Sequence, residues 1–237
     1  MKHFKTIIMT IVGVAFLGGC AATKQARSVD VSGFLNEYRS DLRPGEVRNG
    51  VQDYLLVYRN PNPDYSRYHK IFLAPITVWT DPKVKMSSEE RNDLQQLADN
   101  FHALLVEKWS KDYQIVDEFG PDTLRIQIAI IDGEARTVGL SFISKVIPQA
   151  RVANTVWSFI RGKPAFVGEV TIEFKTTDAE TGELLLAGVD KRVGGQRLFE
   201  KNVFNSWGDV QNAFTYWADL STFRLCEARK GANCVKP

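Results

Sequence analysis

A chain of 237 residues, 44% hydrophobic and 24% charged, is long enough to build one sizeable core without metals or many cross-links. Its 30 Lys and Arg stand against 28 Asp and Glu, and residues 1–19 carry Lys2 and Lys5 but no acid, so the remainder of the chain is formally neutral. The whole-chain pI of 8.4 is therefore no argument for nucleic acid or an anionic surface as a partner.

The first element is a leader. Lys2 and Lys5 precede an apolar run from Ile7 to Leu17, shorter than the roughly 20 residues that span a bilayer, and Leu17-Gly18-Gly19-Cys20 closes it. This is the pattern of a lipoprotein signal peptide, 1–19, cut before Cys20, whose thiol would accept a diacylglycerol. Ala21 and Ala22 stand where an Asp commonly retains lipoproteins at the inner membrane of enteric bacteria. The expected location is the periplasmic face of the outer membrane of a Gram-negative bacterium. There the acyl chains on Cys20 hold the protein, and more than one chain is needed for lasting attachment. Residues 20–33 are polar and small and read as a lipidated tether.

Phe34, Leu35, Tyr38 and Leu42 have helical spacing, and Pro44-Gly45 ends that element. Tyr54 to Tyr58 reads as extended and Asn60 to Asp64 as turns, which makes 34–67 an N-terminal arm ahead of a domain over 68–237. In that domain Lys70 to Trp79 has the composition of a buried strand, with Pro75 marking an edge or bulge. Ser87 and Glu90 form a capping box. Leu94, Leu97, Ala98, Phe101, Leu104, Leu105 and Trp109 then recur on one face of a helix that ends near Lys111. Tyr113 to Phe119 and Thr123 to Ile131 follow as strands. Leu140 to Phe159 is apolar and is expected to be helical on both sides of Pro148. Phe166 to Thr177, a turn over Asp178 to Gly182, and Glu183 to Val193 make a hairpin, and a helix from Ser206 to Glu227 closes the chain. The expected fold is α+β: helices packed on a mostly antiparallel sheet, a single periplasmic domain behind the lipidated tether.

Chemistry is sparse. His69 and His102 read as surface or packing residues, and no zinc spacing occurs. Ser141 in Gly139-Leu140-Ser141-Phe142 lacks the second glycine of a nucleophile elbow. Cys226 and Cys234, in an oxidising compartment, are expected to form a structural disulfide that constrains the unfolded chain by roughly 2.5 kcal/mol. Lys191, Arg192 and Arg197 surround Gly194-Gly195 and form a candidate anion site. Asp178 to Glu183 is acidic but has the order of a turn, not of a calcium loop. In the aromatic set near the C-terminus, Phe214 and Trp217 share the core face of the last helix, whereas Trp207 and Tyr216 fall off it as a candidate partner-binding rim.

Phe34-Leu35 with Tyr38 and Leu42, Tyr68 to Leu73 with Pro75 to Trp79, Gly120 to Leu124, Phe166 to Glu169, and Asp178 to Glu183 together resemble the uncharacterised bacterial lipoproteins of domain-of-unknown-function family 3313. That resemblance spans most of the chain after the leader and implies no catalytic residues. The order of elements also looks like the periplasmic domains of lipoproteins that assemble curli pores or activate penicillin-binding proteins, a likeness of fold alone. The expected function is that of a non-catalytic envelope interaction or assembly factor, with an envelope protein as partner, no cofactor and no nucleic acid, its oligomeric state open. The alternatives are a small-molecule or lipid-binding module, with a pocket under Leu140 to Phe159, and a hydrolase with an unrecognised site.

Overall fold

A computed structural model describes residues 23–80, 85–131, 169–193 and 206–237. The leader, Cys20, the stretch from Leu140 to Phe159, Arg197 and the side chain of Trp207 lie outside the described residues. In chain order the elements are β1 (Lys24–Gln25), a 3-10 turn (Gly33–Tyr38), β2 (Arg43–Pro44), β3 (Val47–Arg48), β4 (Val51–Gln52), β5 (Leu56–Arg59) and a second 3-10 turn (Tyr65–Arg67). Then come β6 (Lys70–Leu73), β7 (Thr77–Trp79), α1 (Ser88–Trp109), β8 (Gln114–Ile115), β9 (Thr123–Ile131), β10 (Glu169–Asp178), β11 (Leu184–Val193) and α2 (Ser206–Ala228).

One mixed sheet runs β2-β5-β11-β10-β9-β6-β8, with β1 also pairing β11 and β7 also pairing β9, while β3 and β4 pair separately. The long strands β9, β10 and β11 are antiparallel, as are β1, β2 and β5 beside them; β6, β7 and β8 pair in parallel at the other edge. Alternation decides the faces: Leu124, Ile126, Ile128 and Ile130 of β9 point with Ile172 and Phe174 of β10 into the core beneath the helices. On α1, Ser87 accepts from the Glu90 amide at 3.1 Å and Glu90 from the Ser87 amide at 2.7 Å, the capping box expected from the sequence. The apolar face of α1 is buried at Leu94, Leu97, Ala98, Phe101, Leu105 and Trp109. Phe101 stacks on Phe214 of α2 with ring centres 4.2 Å apart.

Three expectations change. Pro75 does more than mark an edge: it splits 70–79 into β6 and β7, each alongside β9. The strand expected over Tyr113 to Phe119 shrinks to the two residues of β8. The tether and arm are not separate from the domain over the residues described, because β1, β2 and β5 join its sheet. Thr23 and Ser32 are buried, and Val31, Leu35 and Leu42 pack on Ala187 and Val189 across the sheet face that the helices leave open. Polar partners make this possible. The Ser32 and Leu35 amides donate to the buried carboxylate of Glu173, whose pKa burial pushes up while the Ser32 amide opposes the rise. Arg192 donates to the Thr23 hydroxyl at 2.8 Å and to its carbonyl at 2.5 Å.

Cys226 and Cys234 are bonded, with Cα atoms 5.6 Å apart. Gly231 makes the return possible: a Cβ there would meet the Cys226 Sγ at 2.6 Å. Strand register also gives the domain two distinct ends. Lys24, Val193 and Glu169 align at one end, near Trp79 and Ile131, whereas the β10–β11 turn and Asn60 mark the other.

Candidate functional site: an apolar cavity with a charged mouth

Between the sheet and the two helices lies a cavity of about 390 Å³. Its origin is local. Gly188 of β11 pairs with Phe174 of β10, so no β11 side chain fills the helix-facing row there, and the Phe174 ring leans over the glycine. A Cβ at Gly188 would meet that ring at 2.6 Å. The register shift after Thr176 bends the hairpin at the same end. Tyr54 packs on Phe174 with ring centres 4.5 Å apart, and Phe101, Leu105 and Trp217 close the cavity from the helix side.

Three of the polar wall groups are engaged within the protein. The Trp217 indole donates to Asp190 at 2.7 Å and the Trp109 indole to the Ser221 hydroxyl at 3.2 Å, while the Tyr65 hydroxyl donates to the Leu185 carbonyl at 3.3 Å. Burial pushes the Tyr54 phenol far up, so it stays neutral. Most of what lines the cavity is hydrocarbon and aromatic ring, with the Tyr54 and Thr176 hydroxyls among it.

The mouth is charged. Arg59 pairs with the buried carboxylate of Asp53 at 2.5 Å, and Arg224 pairs with Glu227 at 2.7 Å. Arg224 also points its Nε at the other Asp53 oxygen from 3.7 Å and donates to the Val51 carbonyl at 2.9 Å. The Glu227 carboxyl is lowered: burial works against ionisation, but the Asn49 amide and Arg224 outweigh it. Arg48 completes the rim, exposed and with no carboxylate within 4 Å among the described residues, although Asp53 and Glu227 act on it from farther away. Burial and the neighbouring Arg59 pull its pKa down from the usual arginine value.

The residues singled out from sequence are placed differently. Lys191 pairs with Glu169 at 2.6 Å, and Arg192 is buried, its guanidinium 3.6 Å from the ring centre of Tyr216. The candidate anion site thus has two of its three cations committed to internal contacts, and the third, Arg197, lies outside the described residues. Tyr216 is not a bare rim residue, since Arg192 covers its ring face. His69 is exposed; His102 is half-buried with Nε2 3.4 Å from the Leu73 carbonyl, and burial lowers its pKa. Asp178 organises the hairpin turn. Burial resists its ionisation, but the Thr181 amide, the Tyr68 hydroxyl and the Glu180 amide prevail and hold it at about 2. Among the described residues no group of three or more His, Cys, Asp or Glu could hold a metal ion. Sequence reading missed Arg48, Arg59 and Arg224, because nothing in their spacing ties a hairpin of the arm to the end of the last helix.

Fold and site together define an α+β domain that encloses an apolar cavity between its helical layer and its sheet. By sequence the chain belongs to the DUF3313 family, proteins of unknown function, whose model matches residues 30–221. No curated protein matches it. Among solved structures it is similar to the PelC dodecamer from Paraburkholderia phytofirmans, with 12% identity, a TM-score of 0.34, and coverage of 75% of this chain and 98% of the other. It is also similar to a DUF4136 family protein from Bacteroides thetaiotaomicron, with 14% identity, a TM-score of 0.36, and coverage of 73% and 95%. No helix among the described residues is long and apolar enough to cross a membrane.

Proposed function

We propose that this protein binds an apolar small molecule without transforming it, while acyl chains on Cys20 hold it at the periplasmic face of the outer membrane. The observation that carries the binding reading is the cavity of about 390 Å³, within the roughly 300–1,000 Å³ typical of small-molecule sites. Its described walls are mainly hydrocarbon and aromatic ring. A role through an exposed aromatic rim has less support, because Arg192 occupies the face of Tyr216. The cavity mouth lies toward Asn60, at the sheet end away from Lys24, so an anchor at Cys20 leaves it facing away from the membrane.

N-phenyl-1-naphthylamine, an uncharged fluorophore, is expected to bind the folded full-length protein saturably. Leu186→Trp adds bulk to the cavity wall and is expected to weaken that binding at least tenfold with an unchanged circular dichroism spectrum. The leader is present in both proteins, so the difference reports on the cavity. Equal binding by the two would rule the cavity out. For the anchor, Cys20→Ser is expected to abolish incorporation of a fatty-acid label and to leave the leader uncleaved. Label retained in the variant would refute lipidation at Cys20.

A further inference from the structure

We infer that the ligand of this cavity is a single-chain amphiphile with an anionic head, its chain inside and its head at the mouth against Arg48. This rests on the binding reading above and names the ligand class.

Three constraints converge on it. The first is size: about 390 Å³ is near the lower end of small-molecule sites, which suits one hydrocarbon chain and excludes a two-chain lipid. The second is the wall. The indoles of Trp109 and Trp217 and the hydroxyl of Tyr65 donate to protein acceptors, and the other wall hydroxyls, Tyr54 and Thr176, carry no charge, so a charged group carried deep into the cavity would be desolvated without an ionic partner. The buried portion of the ligand is therefore uncharged and mainly hydrocarbon or aromatic.

The third constraint is the charge of the mouth. Three arginines, Arg48, Arg59 and Arg224, face two carboxylates, Asp53 and Glu227. Both carboxylates are engaged by arginine, and the rim amides are also used: Asn49 donates to Glu227, and Asn60 donates to Glu183 at 2.7 Å. Arg48 is the cation left over, and its planar fork of N–H donors fits a carboxylate or phosphate group. A cationic head would be repelled by that surplus of arginine over carboxylate, and a neutral head would gain nothing from it.

The test compares a fluorescent long-chain acid, cis-parinaric acid, with its methyl ester on the folded full-length protein. The acid is expected to bind about tenfold more tightly than the ester. Arg48→Gln, a change at an exposed position, is expected to remove that advantage by weakening the acid about tenfold more than the ester. Competition by lauric acid against dodecyl phosphate then separates a carboxylate from a phosphate source, and stronger displacement by either upholds the anionic head. Acid and ester binding alike, Arg48→Gln weakening both equally, or dodecylamine competing as well as lauric acid would each overturn the inference while leaving the cavity reading intact. No binding of acid, ester or naphthylamine would overturn the cavity reading itself.

Discussion

Phe101→Ala is expected to cost about 3–5 kcal/mol of folding stability. The ring is 1% exposed, stacks nearly parallel on Phe214 at an interplanar angle of 9°, and lies 6.4 Å from the Trp217 ring centre. Truncation removes the main contact between α1 and α2 over the sheet and enlarges a cavity that already exists beside it. Surrounding side chains cannot collapse into a space bordered by three strands and two helices, so both the transfer and the void contributions are felt. Glu107→Ala, on the exposed face of the same helix, is expected to change stability by about 0.5 kcal/mol or less. Thermal and urea unfolding of the two variants beside the parent chain decides the matter. Equal and small losses would mean that this face of α1 does not seal the core.

Asp190→Ala is the second large effect, expected to cost about 3–5 kcal/mol. Asp190 is fully buried and accepts from Gln25 at 2.6 Å, from the Leu55 amide at 3.1 Å and from the Trp217 indole at 2.7 Å. Those donors belong to β1, to the chain just before β5 and to α2, so one carboxylate ties three elements of remote sequence to β11. Burial pushes its pKa up, and the donors keep the carboxylate in place against that cost. Alanine leaves the Leu55 amide and the Trp217 indole without an acceptor, while the Gln25 amide keeps only its bond to the Asp53 carbonyl at 2.8 Å. Asparagine restores part of the loss only, because its amide offers a donor to one of the groups that must themselves donate. Asp219→Ala, which breaks a half-exposed pair with Lys108 at 2.6 Å, is the control and is expected to cost about 1 kcal/mol or less. Hydrogen exchange at Lys24 to Ala26 is expected to quicken in Asp190→Ala and not in the control. Unchanged exchange there would show that β1 is held by something other than this carboxylate.

These two residues show where sequence reading succeeds and where it stops. Phe101 was legible as core because it recurs with Leu94, Leu97 and Leu105 at helical spacing, and a capping box marked where that spacing begins. Asp190 carried no such signal. It sits in a strand between the apolar run Leu184 to Val189 and Lys191-Arg192, and its partners lie 165, 135 and 27 positions away. Glu173 behaves the same way on the opposite face of the sheet, receiving the amides of Ser32 and Leu35. A polar segment latched down by buried carboxylates looks, in sequence, like a free tether.

The sequence by itself determined the capped amphipathic helix α1, the β10–β11 hairpin with its Asp178 to Gly182 turn, the closing helix and the pairing of Cys226 with Cys234, because each depends on neighbours within a few turns or strands. Only the tertiary structure decided that β1, β2 and β5 join the sheet, that Arg192 lies over Tyr216, and that Arg48, Arg59 and Arg224 gather at one mouth. The cavity belongs with these. It forms because Gly188 of one strand faces Phe174 of the next while the helices bridge above them, and burial of that kind is a sum over long-range contacts that no local pattern of residues encodes.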